Sequence, residues 1–277
     1  MKLSIIQMNV GNDKQKNLQK AERLVTTCVA KEAPDWIALP EMFDYAGSGK
    51  DKRAQAEILG EGTAYKFAQN MAKKHGVFVH AGSFHEWRES EQRIANTTVV
   101  FNGKGDQVAL YRKIHLFDIT APDGTRYFES EHIAPGNDVV TYACGALTFG
   151  CAICYDLRFP DLFQALRLKG ADLIALPSAF TQATGRAHWE TLLRARAIEA
   201  QCFIAAPAQT GSFMQDGGTR QTHGHSMIVN AWGDVIAKMN EGEGYVVAQV
   251  DAALLENVRK NMPVMRHRKF AAPHLEV

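Results

Sequence analysis

Residues 146–160 read Ala-Leu-Thr-Phe-Gly-Cys-Ala-Ile-Cys-Tyr-Asp-Leu-Arg-Phe-Pro. Ala146–Cys154 is apolar and of strand length, and the stretch Pro160–Lys169 has the three-to-four spacing of a helix with proline at its first position. A strand that turns directly into a helix is the unit from which α/β layers are built. The alternation continues on both sides. Runs rich in β-branched residues at Leu3–Val10, Trp36–Leu39, Val77–Phe84, Thr97–Phe101, Val108–Tyr111, Leu173–Leu176, Phe203–Pro207, Ser226–Val229 and Val246–Val250 read as strands. Lys14–Glu32, Thr63–His75 and His188–Ala200 read as helices, the first with Leu18, Ala21, Val25 and Val29 along one stripe. Asn102-Gly103-Lys104-Gly105 and Trp232-Gly233-Asp234 carry the glycines that tight hairpin turns need. No low-complexity linker or solenoid repeat divides the chain, so the expectation is one α/β domain over residues 1–277, with helices covering two sheets.

The 277 residues carry 31 Lys and Arg against 30 Asp and Glu, a net charge of +1, with 46% hydrophobic residues. That balance excludes a disordered chain and gives no basic excess for general nucleic-acid binding. No apolar stretch reaches the roughly 18 residues of a membrane span, and Leu3–Val10, interrupted by Ser4, Gln7 and Asn9, does not read as a signal sequence. A cytoplasmic protein with no membrane partner is expected. The five cysteines are an odd number in a chain too long to need disulfide staples, so at least one thiol is free for chemistry.

Cys154 falls where the strand gives way to the turn, a place where a nucleophile meets backbone N–H groups. Taken alone it reads sooner as one more buried small hydrophobe, the default for a free cysteine. Cys151 and Cys154 form C-x-x-C, but residues three apart in a strand face opposite ways, and no second ligand pair has zinc spacing. Two further polar groups follow apolar strands: Glu41 after Ile37-Ala38-Leu39-Pro40, and Lys113 after Leu110-Tyr111-Arg112. Each could be a solvated strand end. Together with the thiol they supply a base, a cation for a developing oxyanion and a nucleophile.

Leu39-Pro40-Glu41-Met42-Phe43, Tyr111-Arg112-Lys113-Ile114-His115-Leu116-Phe117-Asp118 and Gly150–Pro160 together resemble the nitrilase superfamily of carbon–nitrogen hydrolases, in the family's order and over nearly the whole chain. The resemblance implies an α-β-β-α sandwich, commonly paired into dimers, and no metal or organic cofactor. It places the catalytic residues on Glu41, Lys113 and Cys154, and a further glutamate on Glu129, with Glu131 two residues away. It also implies hydrolysis through a thioester, the Tyr155 backbone N–H helping to hold the oxyanion.

Tyr155-Asp156 stands where true nitrilases carry Trp-Glu. Pro177–Phe180, Thr184–Glu190 and Leu193–Cys202 are most similar to the group that cleaves deaminated glutathione to 2-oxoglutarate and Cys-Gly. An ω-amidase, another small-amide or carbamoyl hydrolase, and a silent interaction protein on the same fold are the alternatives. The expected partner is a small amide that bears a carboxylate. Arg158 could anchor that carboxylate, or pair with Asp156 or Asp161, and Thr184 could add a hydroxyl contact.

The remaining signals read as structure. His223-Gly224-His225 lacks a third metal ligand, Trp189 and Trp232 read as packing residues, and Arg259-Lys260 and Arg266–Lys269 as solvated or interface charge. A tail from about residue 255 is expected to contribute to the interface of a homodimer or larger homo-oligomer.

Overall fold

The computed structural model describes residues 1–48, 51–121, 124–215 and 217–270. Strands and helices are numbered in chain order. The first sheet holds β1 (Lys2–Gln7), β2 (Trp36–Ala38), β3 (Phe78–His80), β4 (Phe84–Arg88), β5 (Arg93–Phe101), β6 (Gln107–Arg112) and β17 (Gly244–Gln249), in the order β17-β1-β2-β3-β5-β4 with β6 also paired to β5. The second holds β9 (Thr141–Cys144), β10 (Leu147–Cys151), β11 (Leu173–Ala175), β12 (Phe203–Ala206), β15 (Met227–Val229) and β16 (Val235–Lys238), in the order β16-β15-β12-β11-β10-β9. Two ribbons stand apart: β7 (Asp118–Thr120) with β8 (Arg126–Phe128), and β13 (Thr210–Gln215) with β14 (Gly218–His223).

β1, β2 and β3 are parallel neighbours, as are β10, β11 and β12. Parallel neighbours need a crossover, and each link contains a helix: α1 (Lys14–Glu32), α3 (Thr63–His75), α4 (Pro160–Leu168) and α5 (Gln182–Ala200). α1 starts because the Asp13 carboxylate accepts from the Lys16 N–H, and it ends at Ala33, whose left-handed backbone turns its N–H onto the Val29 carbonyl. Short helices α2 (Lys52–Gln55), α6 (Ala252–Asn261) and α7 (Val264–His267) complete the chain.

Strand alternation sends Ile6, Ile37 and Val79 outward onto Leu24 and Val25 of α1 and Met71 of α3. Leu3, Ile5 and Trp36 point the other way, into a core shared with Phe149 and Ile174 of the second sheet. Trp36 ties the layers together, donating its indole N–H to the Tyr142 hydroxyl at 2.9 Å and meeting Phe149 edge-on at 5.5 Å. Phe163 and Trp189 of α4 and α5 pack against the far face of the second sheet. The layers are thus α-β-β-α, as the family resemblance implied.

Five readings of local structure are corrected. Val77–Phe84 is not one strand: β3 and β4 pair with successive stretches of β5 and are split at Gly82, which has φ +59°. A side chain there would place its Cβ 2.0 Å from the Pro40 carbonyl, so only glycine lets the bend close against the segment that carries Glu41. Gly82→Ala is expected to lower stability by about 2 kcal/mol or more and to reduce turnover by displacing Glu41; a native melting temperature in thermal unfolding would contradict this. The strand over Ala146–Cys154 stops at Cys151, and α5 begins at Gln182, six residues before the expected start. Trp189 is buried, but Trp232 is 54% exposed at its hairpin and does not pack. Arg259 is no solvated charge, since it pairs with Asp172 at 2.7 Å and caps the Ala171 carbonyl.

The two ribbons escaped the sequence reading because their residues are mostly polar or only half-buried, and β9 because it is four residues long, although Tyr142 and Cys144 within it are buried. The His223–His225 pair is hydrogen-bonded structure: the His225 Nδ1 lies 2.7 Å from the His223 carbonyl and the rings stack. Of the tail, α6 packs Leu255 and Val258 onto its own chain, and residues 271–277 lie outside the described residues. No helix among the described residues is long and apolar enough to cross a membrane.

Candidate active site

In open α/β sheets the residues just past the carboxyl ends of the strands face the ligand crevice. Glu41 lies three residues after β2, Lys113 directly after β6, Cys154 three residues after β10, and Gln209 three after β12. Glu41, Lys113, Glu129 and Cys154 line one cavity of about 320 Å3. That is the scale of a small-molecule pocket.

The Glu41 segment is pinned from both sides. Ser83 Oγ accepts from the Met42 N–H at 3.0 Å, and Gln209 Nε2 donates to the Glu41 carbonyl at 2.7 Å. Met42 adopts φ +49°, unusual for a residue with a side chain. Lys113 is held by its own backbone, which donates to the Asn96 carbonyl at 2.9 Å and accepts from Gly136 at 2.8 Å.

Its ammonium, 2% exposed, donates to Glu41 Oε1 at 3.0 Å and to Glu129 Oε2 at 2.8 Å. Asn96 spans the same two carboxylates, donating to Glu41 Oε1 at 2.9 Å and to Glu129 Oε1 at 3.2 Å. Glu129 opens a 3-10 turn after β8 and also accepts from the Phe117 N–H at 2.7 Å. Of the two neighbouring glutamates it is therefore Glu129 that reaches the lysine, while Glu131 lines the cavity without an ion pair among the described residues.

Burial alone would discharge this lysine. Glu129 and Glu41, with the thiol beyond them, outweigh burial and hold its pKa well above the ordinary value. Glu129 likewise would be pushed up by burial, but Lys113 keeps it below the usual carboxylate value. The ammonium is a fixed cation at neutral pH.

Cys154 starts a 3-10 turn at φ +47°, and its N–H donates to the Pro177 carbonyl at 2.9 Å. A left-handed cysteine off a strand end is strained, and strain of this kind gathers where the backbone must aim a side chain. The turn is locked by Asp156, fully buried, which accepts from the N–H groups of Ile153 at 2.8 Å and His115 at 3.0 Å and from the Tyr111 hydroxyl at 2.7 Å. Burial and the Glu41 carboxylate raise the Cys154 thiol well above its ordinary pKa, with Lys113 and the Ala179 N–H pulling the other way. The sulfur is thus held toward its thiol form, and Glu41 is the carboxylate whose charge and hydrogen bond bear on it.

All five cysteines are free, and Cys151 is fully buried with burial alone raising its thiol. Among the described residues no carboxylate or ammonium shifts it in the way Glu41 and Lys113 shift Cys154. Asp156 is fully engaged with its turn, and Arg158 lies over the Tyr155 and Phe180 rings at 5.7 and 5.5 Å, 3.4 Å from His188 Nδ1. Arg158, Tyr155 and Thr184 all line the cavity, although the Thr184 hydroxyl also lies 2.8 Å from that of Thr181 at the start of α5. Sequence reading missed Asn96, Gln209 and the structural role of Asp156 with Tyr111. Asn96 and Gln209 stand inside or after apolar runs with no motif around them, so only the pairing of strands reveals them.

The family model described as Carbon-nitrogen hydrolase matches residues 2–260. A Synechocystis protein named Deaminated glutathione amidase is 38% identical over 268 residues, covering 96% of this chain and 97% of that protein. The crystal structure of the C. elegans NitFhit protein matches with a TM-score of 0.88 at 36% identity, covering 99% of this chain and 66% of that one. Saccharomyces cerevisiae Nit3, described as a member of branch 10 of the nitrilase superfamily, matches with a TM-score of 0.87 at 29% identity, over 98% of this chain and 97% of that chain.

Proposed function

This chain belongs to the carbon–nitrogen hydrolase family and is a hydrolase of non-peptide carbon–nitrogen bonds, and from that premise we propose that it cleaves deaminated glutathione to 2-oxoglutarate and Cys-Gly through a thioester on Cys154. The observation that carries the reading is the Lys113 ammonium clamped between Glu41 and Glu129 in the same cavity as a strained, protonated cysteine. The substrate is supported by the near-full-length relationship to a protein of that name and by the arginines that line the cavity.

In this scheme Glu41 takes the thiol proton as the Cys154 sulfur attacks the amide carbon. The carbonyl oxygen gains negative charge between the Lys113 ammonium and the Tyr155 N–H, donors fixed before the reaction begins. The tetrahedral intermediate collapses, and the amine leaves with the proton that Glu41 held. A water then gives its proton to Glu41 and attacks the thioester. When that second intermediate collapses, the acid departs and the sulfur recovers the proton. Glu129 holds Lys113 in place through both halves, its own position fixed by the Phe117 N–H. Arg158, on the turn that carries the nucleophile, holds a carboxylate of the acyl portion.

Five free thiols suit a reducing cytoplasm, and residues 1–277 act as one domain. The region from about residue 255 contributes to a homo-oligomer interface. The test of substrate is a comparison of kcat/KM for deaminated glutathione and for 2-oxoglutaramate. The reading expects the first to exceed the second by on the order of tenfold or more, since the larger substrate makes contacts the smaller lacks. A preference for 2-oxoglutaramate would make the protein an ω-amidase.

A further inference from the structure

We propose that Arg220, together with Arg126 of the ribbon it contacts, forms a second anion subsite in the cavity that takes a carboxylate on the leaving-amine side of the substrate. This rests on the functional reading above and names which of the substrate's two ends each arginine reads.

Arg158 and Arg220 line the same cavity but sit at opposite ends of an aromatic strip. Arg220 lies 5.0 Å over the Tyr127 ring, Tyr127 is 5.1 Å from Phe117, Phe117 is 5.1 Å from Tyr155, and Arg158 lies 5.7 Å over Tyr155. Three rings therefore separate the two cations. A substrate with a carboxylate at each end can meet one arginine at each end of that path, which a short amide with one carboxylate cannot do.

Arg220 is incompletely satisfied. Its Nη1 donates to the Tyr127 hydroxyl at 3.3 Å, but its Nε is buried and has no hydrogen-bond partner. A guanidinium has five N–H donors, and leaving buried ones unmet is unfavourable unless an acceptor arrives. Neither Arg220 nor Arg126 pairs with a carboxylate among the described residues, and Arg126 lies 4.5 Å over the Phe128 ring. Glu131, on the same wall, forms no ion pair with either. The Arg220–Tyr127 contact joins β14 to β8, so both ribbons contribute to the same cavity. β14 is itself fixed against α5, where Gly185 approaches His223 so closely that a Cβ there would overlap the ring.

Direction follows from the thioester. The acyl group stays bonded to the Cys154 sulfur, so a carboxylate on that portion lies near Arg158, four residues along the same turn. The amine portion extends away from that turn, toward the far end of the aromatic strip, where Arg220 stands.

The test uses deaminated glutathione and its glycyl methyl ester, which lacks only the charge at the leaving end, with the wild-type protein, Arg220→Ala and Arg220→Lys. The wild type is expected to prefer the acid by on the order of ten- to a hundredfold in kcat/KM, mostly through KM. Arg220→Ala should reduce that preference to within about threefold, and Arg220→Lys should restore part of it. Structural damage would lower both substrates together and leave the preference intact, and that result overturns the subsite. So does a wild-type protein indifferent to the ester. If the wild type turns over neither substrate, the functional reading itself fails, and the subsite's assignment fails with it.

Discussion

Cys154→Ala is expected to lower turnover of deaminated glutathione by on the order of 10⁴-fold or more, while leaving the protein folded. Losing the nucleophile of a catalytic set costs nearly as much as losing the whole set, because the remaining groups have nothing to activate. The fold should survive for a local reason. Alanine adopts the +47° backbone at no greater cost than cysteine, and the Cys154 N–H to Pro177 contact and the Asp156 lock do not involve the sulfur. The vacated volume is one buried atom, worth about 1 kcal/mol, which in a chain of this size moves the melting temperature by about 2–4 °C. Circular dichroism melting alongside a product assay separates the two effects. A variant that melts like the wild type and retains more than a few per cent of its activity would remove Cys154 from the mechanism.

Lys113→Ala should produce the second-largest change, in both stability and rate. The ammonium is 2% exposed and neutralises two carboxylates that share a hydrogen-bonded cluster. Removing the cation from a buried ion network destabilises by about 3–5 kcal/mol because the remaining charges are left uncompensated. The rate should also fall by on the order of 10²–10³-fold for the loss of one oxyanion donor.

The pH dependence distinguishes this account from ordinary cavity formation. In the wild type Glu129 has a folded pKa below its unfolded value, so its contribution to stability is present above the unfolded value and lost as pH falls through the lowered one. In the variant the charge and hydrogen bond of Lys113 are gone, only the Phe117 N–H and the Lys52 charge still oppose burial, and burial carries the folded pKa above the unfolded value. The folded state then gains as pH drops and its carboxylate takes up a proton. The stability difference between the two proteins should therefore be largest near neutral pH and shrink as pH falls toward the carboxylate range, read as melting temperatures across that interval. A difference that is flat or grows on acidification would mean that Lys113 is a packing group and not a counter-ion.

How far the sequence foretold this site depended on what each residue leaves in its local pattern. Glu41, Lys113 and Cys154 each follow an apolar strand, so the change from apolar to polar marks them, and α1 and α3 match their expected bounds because their stripes and ends are local. Glu129 was placed only by resemblance, since Glu131 fits the local pattern as well; the Lys113 contact separates them. Asn96 was invisible, because its role comes from the pairing of β5 with β6. Gly82 looks like strand interior in the local pattern, since the carbonyl it must clear belongs to Pro40, forty-two positions earlier. Arg126 and Arg220 lie on ribbons whose polar residues carry no alternation, and their shared cavity follows only from tertiary contact.

The thioester is the central claim, and acid-quench mass spectrometry during turnover addresses it most directly. Wild-type protein mixed with excess deaminated glutathione and quenched at successive times should carry a 2-oxoglutaryl mass on the peptide that contains Cys154, formed as Cys-Gly is released and absent from Cys154→Ala. The acyl mass on another of the five cysteines, or the same release of Cys-Gly from Cys154→Ala, would contradict it.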